Sequence, residues 1–153
     1  QFENICKRVN NGEIRRLYIV GFDAHSEVQK EYFKELFSKL KDDEFVISFS
    51  YESFKDNVLT VNVGNYVPIA MSVLKLLFDK LAITDNRITF FFTTCDVMTI
   101  SGIIRLKNLD AKNIYMNECA PTSVNPSVYT TLCETYNIKT TTTPENDLKN
   151  IRV

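Results

Sequence analysis

Arg15–Phe22 (RRLYIVGF) alternates: Leu17, Ile19 and Gly21 interleave with Tyr18, Val20 and Phe22, the two-residue period of a strand. A helical period follows. Val28, Tyr32, Phe33, Leu36, Phe37 and Leu40 share one face of a helix over Glu27–Lys41. Ser26 and Gln29 form a capping box at its start, and Lys39 and Lys41 suit the negative end of its dipole. Two β-rich runs come next, Phe45–Tyr51 and Val58–Val63. The turn-like Lys55-Asp56-Asn57 between them predicts a hairpin. Pro68–Leu81 reads as a helix with Ala70, Val73, Leu74, Leu77, Phe78 and Leu81 inward.

After a turn at Asp85-Asn86, Arg87–Thr93 (RITFFFT) is a strand apolar enough for burial on both faces. Asp96 caps a helical segment over Val97–Leu109, and Asn113–Asn117 is a further strand. Asn125-Pro126 opens a helix whose stripe is Val128, Tyr129, Leu132, Cys133 and Tyr136. The Thr-rich run Ile138–Thr143 predicts an edge strand, with frayed residues after Pro144. Strands alternating with helices imply an α/β domain with a mostly parallel sheet, here with helices predominantly on one side. A single domain over 1–153, with an ordered core about 14–143, is expected.

The strands also repeat. Phe90-x-Phe92-x-x-Cys95 matches Ile114-x-Met116-x-x-Cys119, and Leu17-x-Ile19-x-x-Phe22 fits the same frame. LYIVGF at 17–22, FFFTTC at 90–95, RLKNLDAKNIYMNEC at 105–119 and PTSVNPSVYTTLC at 121–133 carry a resemblance to ribonuclease-inhibitor-like leucine-rich repeats. They are most similar to the regions that follow F-boxes in nematode F-box-associated proteins. The resemblance implies stacked strand–helix units and a concave sheet face that binds partners. In the repeat register Tyr18, Phe91 and Tyr115 share an outward column with Ser48, Thr60 and Lys139. Thr93 and Asn117 flank it, with Val20, Ser50, Asn62 and Thr141. The expected partner-binding set is therefore Tyr18, Phe91, Tyr115, Thr93, Asn117 and Lys139. The same column reads as core if helices cover both faces. The resemblance implies substrate recognition for a cullin-type ubiquitin ligase. No F-box is visible, and one would lie upstream of a chain that begins without Met.

Composition narrows the chemistry. Of 153 residues, 18 are basic and 19 acidic, so a strongly basic nucleic-acid binder is disfavoured. Four glycines leave little for phosphate-binding loops. The longest dense apolar stretch, Val67 to Ile83, is broken by Ser72, Lys75, Asp79 and Lys80, so no membrane span is expected. Gln1–Glu13 is too polar for a signal peptide. Cys6, Cys95, Cys119 and Cys133 lack zinc-site spacing and read as buried free thiols of a reducing compartment, cytoplasmic or nuclear. His25 stands in a strand-to-helix turn with Asp23 and Ser26, where residues so close in sequence rarely build a nucleophile–base pair. Cys95-Asp96 and Glu118-Cys119 place carboxylates, not bases, beside thiols. Lys41-Asp42-Asp43-Glu44 lacks the alternate spacing and glycine of a calcium loop.

These features predict a non-enzymatic protein-interaction module whose partner is another protein. No cofactor or metal is expected. The alternatives are a small α/β enzyme with a site at the strand carboxyl ends, or a nucleic-acid-binding or viral accessory protein.

Overall fold

In a computed structural model of the chain, the residues described are 1–21, 26–50, 55–62, 67–81, 86–117 and 126–153, with the backbone alone for 67–69. The elements are α1 (Phe2–Asn10), β1 (Arg16–Gly21), α2 (Glu27–Ser38), β2 (Glu44–Ser48), β3 (Val58–Thr60), α3 (Val67–Phe78), β4 (Ile88–Phe92), α4 (Val97–Asn108), β5 (Asn113–Met116), α5 (Pro126–Tyr136), β6 (Lys139–Thr140) and α6 (Pro144–Arg152). The predicted strand ends Phe22, Tyr51 and Val63 and the predicted cap Asn125 lie outside the described residues.

All six strands are parallel, in the order β3-β2-β1-β4-β5-β6. The α/β class follows the sequence pattern, but the order is doubly wound. A stack of repeats would keep its strands in chain order. Here the sheet grows outward from β1 in both directions. Right-handed crossovers explain the layers: opposite steps across a sheet, taken with the same hand, put helices on opposite faces. So α2 lies on one face with α6, while α1, α3, α4 and α5 lie on the other. The expectation of helices mainly on one side is corrected on that point.

Side-chain alternation divides the core accordingly. Leu17, Ile19, Ile47, Ile88, Phe90, Phe92, Ile114 and Met116 pack beneath the four-helix layer. Tyr18, Val20, Val46, Phe91 and Tyr115 pack beneath α2 and α6. The buried run Phe90-Phe91-Phe92 serves both layers at once.

Three local expectations also change. β2 and β3 are parallel, with Ile47 opposite Leu59, and form no hairpin. Val46 N–H donates to Asn57 O at 2.9 Å, so the Lys55–Asn57 turn feeds a parallel edge strand. The residues after Pro144 form α6. Thr143 caps it by accepting from Asn146 N–H, Pro144 occupies the first turn, and Leu148 and Ile151 are buried. The polar N-terminal segment folds as α1, burying Ile5, Cys6 and Val9. The ordered core thus extends past both ends of 14–143.

Candidate functional site

β1 and β4 are neighbours in the sheet, yet β1 leads to α2 on one face and β4 to α4 on the other. In open α/β sheets such a switch point, at the strand carboxyl ends, is where ligands bind. The segments 22–25, 51–54, 63–66 and 118–125, which follow β1, β2, β3 and β5 in sequence, lie outside the described residues. With them lie His25, Asp23, Glu118 and Cys119.

The described part of this edge is a buried polar layer. Thr93 Oγ1 donates to Gly21 O at 2.8 Å and ties the ends of β1 and β4 together. Gln29 of α2, itself buried, donates Nε2 to Thr93 O at 2.7 Å and to Asn117 O at 2.5 Å. Asn117 Nδ2 donates to Thr141 Oγ1 at 2.8 Å. Asn117 Oδ1 is buried and has no hydrogen-bond partner among the described residues. On the other side of the sheet, Thr94 and Thr99 hydroxyls meet at 2.7 Å. Asp96 caps α4 by accepting from Thr99 N–H at 2.7 Å, and the Cys95 thiol is buried beside it. Ser26 caps α2, accepting from Gln29 N–H at 3.2 Å as the capping box predicts. The positive dipole ends of α2 and α4 therefore both lie at this edge, on opposite faces of the sheet.

Among the described residues, no group of three or more His, Cys, Asp or Glu side chains is placed to hold a metal ion. Cys6 and Cys95 are buried and Cys133 is half-buried. No helix among the described residues is long and apolar enough to cross a membrane.

The aromatic column lies elsewhere than expected. Tyr18, Phe91 and Tyr115 are 0, 1 and 2 % exposed, inside the layer beneath α2 and α6. Phe91 stacks against Tyr115 at 5.3 Å and meets Phe33 of α2 edge-on at 5.8 Å. Tyr18 O–H donates to Glu44 Oε1 at 3.0 Å. Burial and the adjacent Glu44 carboxylate push its phenol well above the usual tyrosine range. These three rings are core, not an accessible binding face. Thr93 and Asn117 are buried in the polar layer described above. Lys139 remains exposed, its ammonium 5.3 Å from the Tyr115 ring.

The register differs too. Phe91 pairs with Val20 on one side and with Tyr115 on the other, while Tyr18 pairs with Thr89, so β1 sits two residues from the repeat frame. A slip of two preserves the face, so alternation alone cannot detect it.

Gln29 was legible only as a capping partner. Its spacing from Phe33, Leu36 and Phe37 puts it on the buried stripe, and it takes the place assigned to Val28, which is exposed. A glutamine on an apolar helical stripe was the available signal.

No family model matches the chain. It is similar along nearly its whole length to curated proteins named hydroxylamine reductase. It is 25% identical to that of Moorella thermoacetica, covering 96% of this chain and 38% of the relative. The Thermotoga petrophila protein is 26% identical over 97% of this chain and 38% of its own length. The Crocosphaera subtropica protein is 24% identical over 95% and 29%. The chain thus spans about a third of the length of these relatives. They overturn the expectation of a non-enzymatic F-box-associated ubiquitin-ligase adaptor: the proteins this chain is similar to are named as oxidoreductases.

Proposed function

We propose that the chain is an α/β domain of a hydroxylamine-reductase-type oxidoreductase, with its reaction edge at the carboxyl ends of β1, β4 and β5. The observation that carries this is the coverage: 95–97% of the chain aligns with relatives that share one named activity. The doubly wound sheet supports it, because open sheets of this kind bind ligands at the strand carboxyl ends, the edge where Gln29, Thr93 and Asn117 converge.

The overall step is a two-electron reduction. Hydroxylamine takes up two electrons and two protons, its N–O bond breaks, and nitrogen leaves as ammonia and oxygen as water. An external one-electron donor of the reduced-viologen class supplies the electrons, two donor molecules for each hydroxylamine. In this scheme the described residues bind and shape. The Gln29 amide holds the carbonyls of Thr93 and Asn117, which follow β4 and β5, in place along this edge.

The test is an anaerobic assay of the intact protein that carries this chain, as its host makes it, following hydroxylamine-dependent oxidation of reduced methyl viologen. Turnover with ammonia formed in step with half the viologen oxidised is the expected result. Folded protein that oxidises no viologen above the buffer rate overturns the proposal.

A further inference from the structure

We infer that the opposite, amino edge of the sheet holds a second binding site, for a diphosphate-bearing ligand. A cavity of about 600 Å³ opens there, within the range of small-molecule sites. It gathers the starts of β1, β2, β4 and β5 and the end of α6. Five cations line it, Arg15, Arg16, Lys41, Arg87 and Arg152, against two carboxylates, Asp43 and Glu44. The chain as a whole carries a net charge of −1, so this positive field is local.

The internal pairing engages both carboxylates and leaves Arg16 outside it. Glu44 is fully engaged: it takes Arg152 Nε at 2.8 Å and Nη2 at 2.6 Å, the Tyr18 phenol, and Lys41 N–H at 2.9 Å. Asp43 faces Arg15 at 3.5 Å, a loose pair with Arg15 largely exposed. The Arg16 guanidinium, half-buried at the start of β1, closes no ion pair among the described residues.

Helix carbonyl ends point to this edge and would repel an anion. Two of the arginines cover them. Arg87 Nη1 donates to Val9 O in the last turn of α1 at 3.0 Å, and Arg152 Nη2 donates to Lys39 O at the end of α2 at 2.9 Å. With those ends covered, Arg16 presents a planar fork of donors suited to phosphate oxygens. Asn86 and Asn113, joined by a bond from Asn113 Nδ2 to Asn86 O at 2.9 Å, add neutral polar groups on the wall. The site lies across the sheet's length from the carboxyl edge and does not depend on the reductase proposal.

Isothermal titration of the intact protein with inorganic pyrophosphate at low ionic strength tests it, with ADP as a second arm. Saturable binding at one site per chain is expected, weakened at least tenfold by Arg16→Ala and less by Arg16→Lys. Lys30→Ala, on the exposed face of α2, should leave it unchanged. Tighter binding of ADP than of pyrophosphate supports a nucleotide as the source, and equal binding supports free diphosphate. Absence of saturable heat, or equal loss in Arg16→Ala and Lys30→Ala, overturns the site. Should Arg16→Ala not fold, the side-chain amide NMR signals of Asn86, Asn113 and Asn150 in the unaltered protein decide. Shifts that saturate with pyrophosphate support the site, and unmoved signals overturn it.

Discussion

Arg152 grips Glu44 with two prongs, Nε to Oε1 at 2.8 Å and Nη2 to Oε2 at 2.6 Å, across 108 residues of chain. Glu44 is 2 % exposed. Removing one partner of such a pair strands the other charge, at a cost of roughly 3 kcal/mol or more. Arg152→Ala should therefore lower unfolding free energy by about that amount in urea denaturation. Replacing both residues together, Glu44→Leu with Arg152→Met, should cost clearly less than Arg152→Ala alone.

The same pair sets an acid limit. Burial raises the Glu44 pKa, but hydrogen bonds from Arg152, the Lys41 N–H and Tyr18 outweigh it and hold the carboxyl below its usual value of 4.5. A folded-state pKa below the unfolded one stabilises the fold above the unfolded value, and this contribution fades as pH falls through the folded one. Melting temperature should drop below about pH 4.3 more steeply in the unaltered protein than in Glu44→Gln. Parallel acid limbs in the two proteins would contradict this.

Alkali probes the second layer. Tyr32 O–H donates to Asp147 Oδ2 at 2.7 Å, and Asp147 also accepts from Thr142 N–H and Oγ1 at 2.9 Å. Burial and the Asp147 carboxylate raise the Tyr32 phenol far above its ordinary range. A raised folded pKa stabilises fully below the unfolded value of about 10 and is lost as pH climbs beyond it. Ultraviolet titration should show Tyr18 and Tyr32 among the tyrosines that ionise only as the protein unfolds, with burial raising Tyr115 as well. Tyr32→Phe should reduce that count by one.

The Gln29 amide donates to two buried carbonyls. Gln29→Leu removes both hydrogen bonds, to Thr93 O and Asn117 O, each worth about 0.5–1.5 kcal/mol. Equilibrium denaturation should register a loss in that range or above. Gln29→Glu, which sets a carboxylate against two carbonyl oxygens, should be worse at neutral pH than at pH 4.

Tyr115→Ser separates a core ring from a docking ring. The ring is 2 % exposed beneath α2 and α6, so the substitution should cost roughly 3–5 kcal/mol, like other deletions of buried aromatic rings. A variant that keeps its melting temperature would return the column to the surface.

Much of the architecture was legible because alternation and helical period are local. RITFFFT announced a strand covered on both faces, and β4 is one. Strand neighbours are not local. Leu17 and Ile19 face the same layer, so a frame shifted by two residues satisfied the same pattern while pairing the wrong rings. α1 and α6 escaped notice because each buries a narrow stripe, Ile5 and Val9 in one and Leu148 and Ile151 in the other, within a charged segment. Thr93 and Asn117 read as small outward polar residues. What buries them is α2, delivered by a crossover whose hand no short segment specifies.

α6 comes after all six strands in chain order, and that has a temporal consequence. During synthesis the four-helix layer can assemble on its face of the sheet while the other face carries α2 alone. Until Leu148 and Ile151 arrive, Phe91, Tyr115 and Tyr18 keep an uncovered flank, and Glu44 waits for Arg152. A chain cut before Pro144 therefore presents an aromatic surface that α6 otherwise hides, and is the more adhesive for it.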